Sequence, residues 1–185
     1  METTTQLYLV RHAHSDYTPD ELRRPLSVRG YTDAARVTEV LKGERIDYVY
    51  SSPYRRALQT VEGIAEYIGK EILIEENFKE RTLAARPLED FQAAIAMVWS
   101  DEDFSWEGGE SNKFAQQRGV TVTKELLKRH PGQKVAVGTH GNLMALIMNY
   151  YHKDYGFDFW KSLDMPDIYM LVFSGNDLIN IKRVL

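Results

Sequence analysis

Cysteine is absent from this chain of 185 residues, which excludes disulfides, zinc–thiolate sites and thiol catalysis. A surplus of positive charge is absent too: 23 Lys and Arg stand against 27 Asp and Glu, a net charge of −4. Bulk charge therefore gives no reason to expect nucleic acid or a membrane surface as partner, and any anion site must be built locally, against the overall sign. Long apolar runs are missing: Leu143–Met148, the longest near the end, is far too short to span a bilayer. Residues 1–5 are polar with no signal-like core, and a cytoplasmic protein is expected. There is no internal repeat, low-complexity tract or linker.

What remains is an ordinary globular composition, 43% hydrophobic and 27% charged, far from that of a disordered chain. At about 150 residues per domain, one domain over residues 1–185 is expected. Such a chain buries roughly 70% of its unfolded surface and needs no staples. It is short for a (β/α)8 barrel, which takes about 250 residues.

Strand-then-helix is the clearest pattern. Gln6–Arg11 reads as a first strand. Ser27 is predicted to cap a helix to about Lys42, stopped by Gly43. Asp47–Ser51 is a second strand, and Ser52-Pro53 a helix start, with Ser as cap and Pro at the first helical position. That helix is predicted to reach Tyr67 or Ile68, with Gly69 closing it. Ile72–Ile74 is a third strand, Leu88–Trp99 a helix and Asp101–Glu110 an acidic loop. Ser111 opens a helix ended near His130 by Pro131-Gly132. Lys134–Thr139 is a buried strand, Asn142–Tyr151 a helix, and Ile168–Phe173 with Leu178–Val184 a hairpin around Gly175-Asn176. This alternation predicts an α/β three-layer sandwich with a mainly parallel central sheet, and the hairpin adds an antiparallel strand near the C-terminus.

The position of the unusual residues is informative. The first strand ends in Arg11-His12, the second in Ser51-Ser52-Pro53 just before Arg55-Arg56, and Lys134–Thr139 in His140-Gly141. Ligands of open α/β sheets bind outside the carboxyl ends of strands, where helix N-termini also favour anions. Arg forks match phosphate oxygens. Arg56 at a helix start is electrostatically odd unless it faces an anion. Together these residue types point to a phosphoryl group.

These residues carry a family resemblance. Leu9-Val10-Arg11-His12-Ala13 resembles the LVRHG signature of the histidine phosphatase superfamily, the phosphoglycerate mutase-like proteins. The run from Ser51 to Thr60 is similar to its SSPxxRAxQT block, Leu26–Gly30 to its LTxxG helix entry, and Thr139-His140-Gly141 to its second HG motif. The resemblance implies a phosphoglycerate mutase-like fold and a phosphomonoester hydrolase. Its nucleophile would be His12, passing through a phosphohistidine, with Arg11, Arg56 and His140 gripping the non-bridging oxygens. Neighbouring Arg11 and Arg56 should depress the pKa of His12 and keep it neutral and nucleophilic. Positioning and charge stabilisation carry most phosphoryl transfer, so neither metal nor cofactor is expected. Phe78-Lys79-Glu80-Arg81 resembles the family's Leu-x-Glu-Arg stretch, which makes Glu80 the candidate general acid.

Substrate-binding candidates are Ser15, at the family's Ser or Thr, together with Gly141 and Asn142. Arg81, with Arg86, could hold a second anionic group of a small phosphorylated acid or sugar. Residues 83–110 are the expected lid or specificity segment, carrying Trp99, Phe104 and Trp106. Gly108–Ser111 looks like the family's GGES turn, for which capping is a sufficient explanation. Ala13 replaces the usual glycine and His14 stands where mutases carry Glu, whereas Asn142 matches the mutase HGN. The missing mutase insertions favour phosphatase over mutase. Two further alternatives stand: a metal hydrolase using His12, His14 and His140, and a phosphate-binding module without turnover. The sequence assigns no oligomeric state.

Overall fold

The structure is a computed structural model that describes residues 3–185. Thr4–Arg11 forms β1, in which Leu7 to Val10 are wholly buried. Apolar residues on both faces mark a strand covered on both sides. Val28–Lys42 forms α1, capped by Ser27, and Tyr48–Ser51 forms β2. Arg55–Ile68 forms α2, closed by Gly69 in the left-handed region at φ 67°. Ile72–Ile74 forms β3 and leads into a 3-10 turn, Glu76–Phe78. Phe91–Ser100 forms α3, Asn112–Arg129 forms α4, and Lys134–Thr139 forms β4. Gly141–Tyr151 forms α5, Phe157–Ser162 forms α6, and Asp167–Ser174 and Asp177–Arg183 form β5 and β6.

The sheet order is β3-β2-β4-β1-β5-β6. Strands β1 to β4 are mutually parallel, and β5 runs antiparallel to both neighbours. One face packs Tyr8, Val10, Val49 and Ala136 against α1 and α2. The other packs Leu7, Leu9, Val135 and Val137 against α4 and α5. The expected three-layer sandwich is present. From β1 the chain leaves through α1 toward β2, and from β4 it leaves through α5 and α6 toward β5. The crevice between β1 and β4 is thus the switch point where α/β sheets bind ligands.

Three expectations need correction. The α2 helix begins at Arg55, not Pro53, with Tyr54 in the cap position; the Ser52 hydroxyl is turned toward His140 and accepts only the Tyr54 N–H. The α3 helix begins at Phe91, because the Asp90 carboxylate caps it by accepting from Ala93 N. The α6 helix was not expected; it rests on ring contacts of Phe157 with Trp99 and of Phe159 with Tyr155 and Tyr169.

Candidate active site

The ends of β1, β4 and β2 lie side by side, and the residues just past them continue the hydrogen-bond ladder. His12 N donates to Thr139 O at 3.1 Å, and Ser52 N to Gly138 O at 2.9 Å. The His12 ring is buried. Its Nδ1 lies 2.7 Å from Ala13 O, a group that only accepts, so Nδ1 carries the proton and Nε2 keeps its lone pair. Arg56 Nε donates to that Nε2 at 3.2 Å. Thr60 locks the pair: its hydroxyl accepts from Ala13 N at 3.0 Å and donates to Arg56 O at 2.7 Å. The His12 pKa is held well below its ordinary value. Burial is the largest cause, followed by the charge of Arg56, with Arg11 and Arg24 adding to it against the Ala13 hydrogen bond. Burial thus outranks the neighbouring cations.

His140 is buried, with its ring 5.2 Å from that of His12. Its Nε2 lies 2.7 Å from Ser52 Oγ, which also accepts from Tyr54 N at 3.1 Å. When the Ser52 hydroxyl donates to Nε2, the imidazole proton sits on Nδ1. That Nδ1 is buried and has no partner. Burial, with His12 and Arg56 adding to it, holds the His140 pKa well below its ordinary value.

Arg11 Nη1 donates to the carbonyls of Leu163 at 2.9 Å and Asp164 at 3.2 Å, while its Nε is buried without a partner. The guanidinium lies flat against the start of α5, where a Cβ on residue 141 would come within 2.8 Å of Nε. Glycine at 141 is what permits that approach. Arg56 is 2% exposed, and it donates Nη1 to Glu21 O at 2.9 Å and Nη2 to Glu21 Oε2 at 3.0 Å. Arg24 Nη2 reaches the same Oε2 at 3.2 Å.

Glu80 faces this group from the other side. Its oxygens accept from Asn142 N at 3.1 Å, Leu143 N at 3.0 Å and Arg81 N at 2.8 Å. The carboxyl is thereby anchored at the N-terminus of α5, and its charge bears on Arg11 and Arg56. The backbone beneath it is clamped by Arg118 of α4, which donates to the carbonyls of Asn77, Lys79 and Glu80 at 2.8, 2.9 and 3.2 Å. Arg118 is held in turn by both oxygens of Glu110, at 2.8 and 3.0 Å. Capping accounts for Ser111 in the Gly108–Ser111 turn, but not for Glu110.

A family model for the histidine phosphatase superfamily (branch 1) matches residues 7–177. The chain belongs to the histidine phosphatase superfamily. Phosphoserine phosphatase 1 of Hydrogenobacter thermophilus is 31% identical over 153 residues, 73% of this chain and 70% of that protein. Phosphoglycerate mutase-like protein 4 of Arabidopsis thaliana is 29% identical over 159 residues, covering 77% of this chain and 69% of that protein. The solved structure of phosphoserine phosphatase from Entamoeba histolytica in complex with 3-phosphoglyceric acid is 21% identical. It superposes with a TM-score of 0.78 over 98% of this chain and 97% of that one. The expected activity, a phosphatase acting on a small phosphorylated metabolite, accords with these relatives.

Of the remaining candidates of this superfamily member, Gly141 and Asn142 lie against Arg11 and Glu80. Ser15 sits in an isolated bridge with Leu26. Arg81 is buried and donates to Asn112 Oδ1 at 2.9 Å, while Arg86 is exposed. The Asn142 side-chain oxygen accepts from Trp99 Nε1 at 3.2 Å, so α3 reaches the site through Trp99. The stretch 83–110 closes on itself where Ala85 N donates to Glu107 O and Glu110 N to Thr82 O. His14 is exposed, with its ring against Ser27 Oγ at 2.8 Å, away from buried His12. Among the described residues no group of three or more His, Cys, Asp or Glu could hold a metal ion, so the His12–His14–His140 alternative has no support. Arg24, Glu21, Ser52 and Arg118 are site residues that sequence reasoning missed. Two of them carried a signal, Ser52 inside the Ser51–Thr60 block and Arg24 as one of two adjacent arginines, Arg23-Arg24, between the two motifs.

Proposed function

We propose that this chain hydrolyses small phosphomonoesters through a phosphohistidine on His12, without a metal. The observation that carries the reading is the His12 ring itself, buried and neutral, with Nδ1 tied to Ala13 O so that the Nε2 lone pair faces Arg56. In the first step Nε2 attacks phosphorus, the N–P bond forms and the bond to the leaving oxygen breaks. Glu80 supplies a proton to that oxygen. Arg11, Arg56 and His140 Nδ1–H hold the non-bridging oxygens; the partnerless donors on Arg11 and His140 then gain acceptors. In the second step water attacks phosphorus and gives a proton to the Glu80 carboxylate, the N–P bond breaks with its electron pair returning to Nε2, and phosphate leaves.

Ser15, Gly141 and Asn142 line the substrate side of this assignment and Arg81 backs it. Residues 83–110 form the specificity lid of a chain we read as one domain. Highly charged phosphorylated metabolites do not cross membranes, and we assign the reaction to the cytoplasm. Phosphoserine and phosphoglycerates, drawn from the names of the relatives, head the substrate panel together with p-nitrophenyl phosphate. Asn142, the mutase-like residue, accepts from Trp99 Nε1 through Oδ1 alone, which leaves its amide N–H groups for substrate.

Wild type is expected to release phosphate from this panel in excess chelator and to carry acid-labile phosphate after a quench. His12→Ala is expected to lose at least about 10³-fold in kcat and all of the acid-labile label. Unchanged turnover in His12→Ala would end the reading.

A further inference from the structure

The turn between the first two motifs places an arginine and a carboxylate on the phosphate grip. Arg23 N donates to Asp20 Oδ1 at 3.0 Å, and Arg24 N to Asp20 O at 2.9 Å. Leu22 O accepts from Arg55 N at 2.9 Å, pinning the turn to the start of α2. Glu21 and Arg24 are thereby fixed beside Arg56. One oxygen of Glu21 bridges both guanidinium groups, 3.0 Å from Arg56 Nη2 and 3.2 Å from Arg24 Nη2.

The three residues differ in what they can give up. Arg24 is only 17% exposed, and its Nε is buried with no partner. Its charge is the largest ionic influence on Arg56, and it also bears on His12 and His140. Glu21 is 51% exposed, and an ion pair open to water on one side holds weakly. Two close guanidinium groups repel unless an anion sits between them. The Glu21 carboxylate is that anion here, and its bridging oxygen occupies a position suited to an oxygen of a phosphoryl group.

We propose that Arg24 is a further direct contact to the substrate's phosphoryl group, and that Glu21 is an internal anion that holds the place until substrate displaces it. The proposal deepens the phosphatase reading and rests on its assignment of Arg56 to the phosphoryl oxygens. It makes the grip a three-arginine site, and it makes substrate binding an exchange of one anion for another. The competing role for Glu21 is to orient Arg56, and the two roles have opposite consequences. Removing a competitor tightens anion binding, whereas removing an orienting partner loosens it.

Inorganic phosphate is the probe, with its Kd measured by calorimetry so that the result does not depend on turnover. Glu21→Gln keeps the shape and the backbone carbonyl and lies on an exposed turn; it is expected to lower Kd about three- to tenfold. Arg24→Ala is expected to raise Kd about tenfold or more, and Arg24→Lys to restore part of the loss. A Kd raised or unchanged in Glu21→Gln overturns the place-holding role, and a Kd unchanged in Arg24→Ala overturns the contact. A wild type that binds phosphate yet leaves p-nitrophenyl phosphate intact defeats the phosphatase reading but not this one. A wild type that turns over while both variants bind phosphate as it does defeats this proposal alone.

Discussion

Ser52 shows how a single hydroxyl can set the chemistry of a site. Its oxygen receives the Tyr54 N–H and faces His140 Nε2; when the hydroxyl donates to Nε2 the imidazole proton is on Nδ1, the atom that the proposed mechanism turns to the phosphoryl group. Ser52→Ala is expected to lower kcat about tenfold or more by freeing the wrong tautomer, with a stability loss of about 1–3 kcal/mol for the buried donor left unpaired. Ser52→Thr keeps the hydroxyl and should recover most of kcat. Steady-state rates and denaturant melts on the three proteins check this, and an unchanged kcat in Ser52→Ala would refute the tautomer role. Beyond its place in the Ser51–Thr60 block, Ser52 reads from sequence as a helix cap, because capping is a rule about residues three or four apart and His140 lies 88 residues away. Arg11, His12, Arg56 and His140 were legible because each stands at the end of an element whose place in the sheet follows from topology. Glu21 and Arg24 lie in a turn with no periodicity, and nothing local marks their shared oxygen.

At the scale of elements, helices and strands were legible where a periodic apolar face met a capping side chain, as at Ser27 and Ser111. α6 escaped because its six residues have no side-chain cap and owe their helix to aromatic neighbours on α3 and β5. The Asn77–Thr82 loop, where the family resemblance alone marked Glu80, likewise owes its order to another element, α4. Arg118 and Glu110 are 9% and 15% exposed, and Glu110 is held below the ordinary carboxyl pKa because Arg118 and the Thr82 N–H outweigh burial. Together they fix the carbonyl side of Glu80 while α5 fixes its carboxylate. Arg118→Met breaks a nearly buried pair and is expected to cost about 3–5 kcal/mol of stability. Glu110→Gln still accepts from Thr82 N and should fold well. It is expected to lower kcat several-fold, leave KM nearly unchanged and shift the alkaline limb of the pH profile, which reports the acid. A Glu110→Gln enzyme with a wild-type pH profile would show the clamp to be structural only.

At the scale of the whole molecule, the site is placed where the fold must leave groups unsatisfied. Three parallel strands end together, both sheet faces are covered, and two imidazoles are sealed in neutral form. The cost of that arrangement is visible as pH dependence. Both histidines have folded pKa values well below the ordinary 6.5, with burial the first cause in each. The unfolded chain therefore binds more protons than the native one as the pH falls through about 6.5. Their contribution to stability is complete above that pH and is lost below it, at up to about 1.4 kcal/mol per pH unit for each histidine. Glu110 and Asp167, shifted in opposite directions, act lower, in the carboxylate range near pH 4, and leave this window clear. Denaturant unfolding from pH 7.5 to 5 should show stability flat above about 7 and falling below 6.5. His12→Gln and His140→Gln should each remove about half of the slope. A profile equally flat to pH 5 in wild type would mean that neither imidazole is held neutral, and the lone pair assigned to His12 Nε2 would go with it. The same neutrality that weakens the fold in acid keeps His12 nucleophilic there, so the acid limb of kcat/KM is expected well below pH 6.5, where stability is already declining.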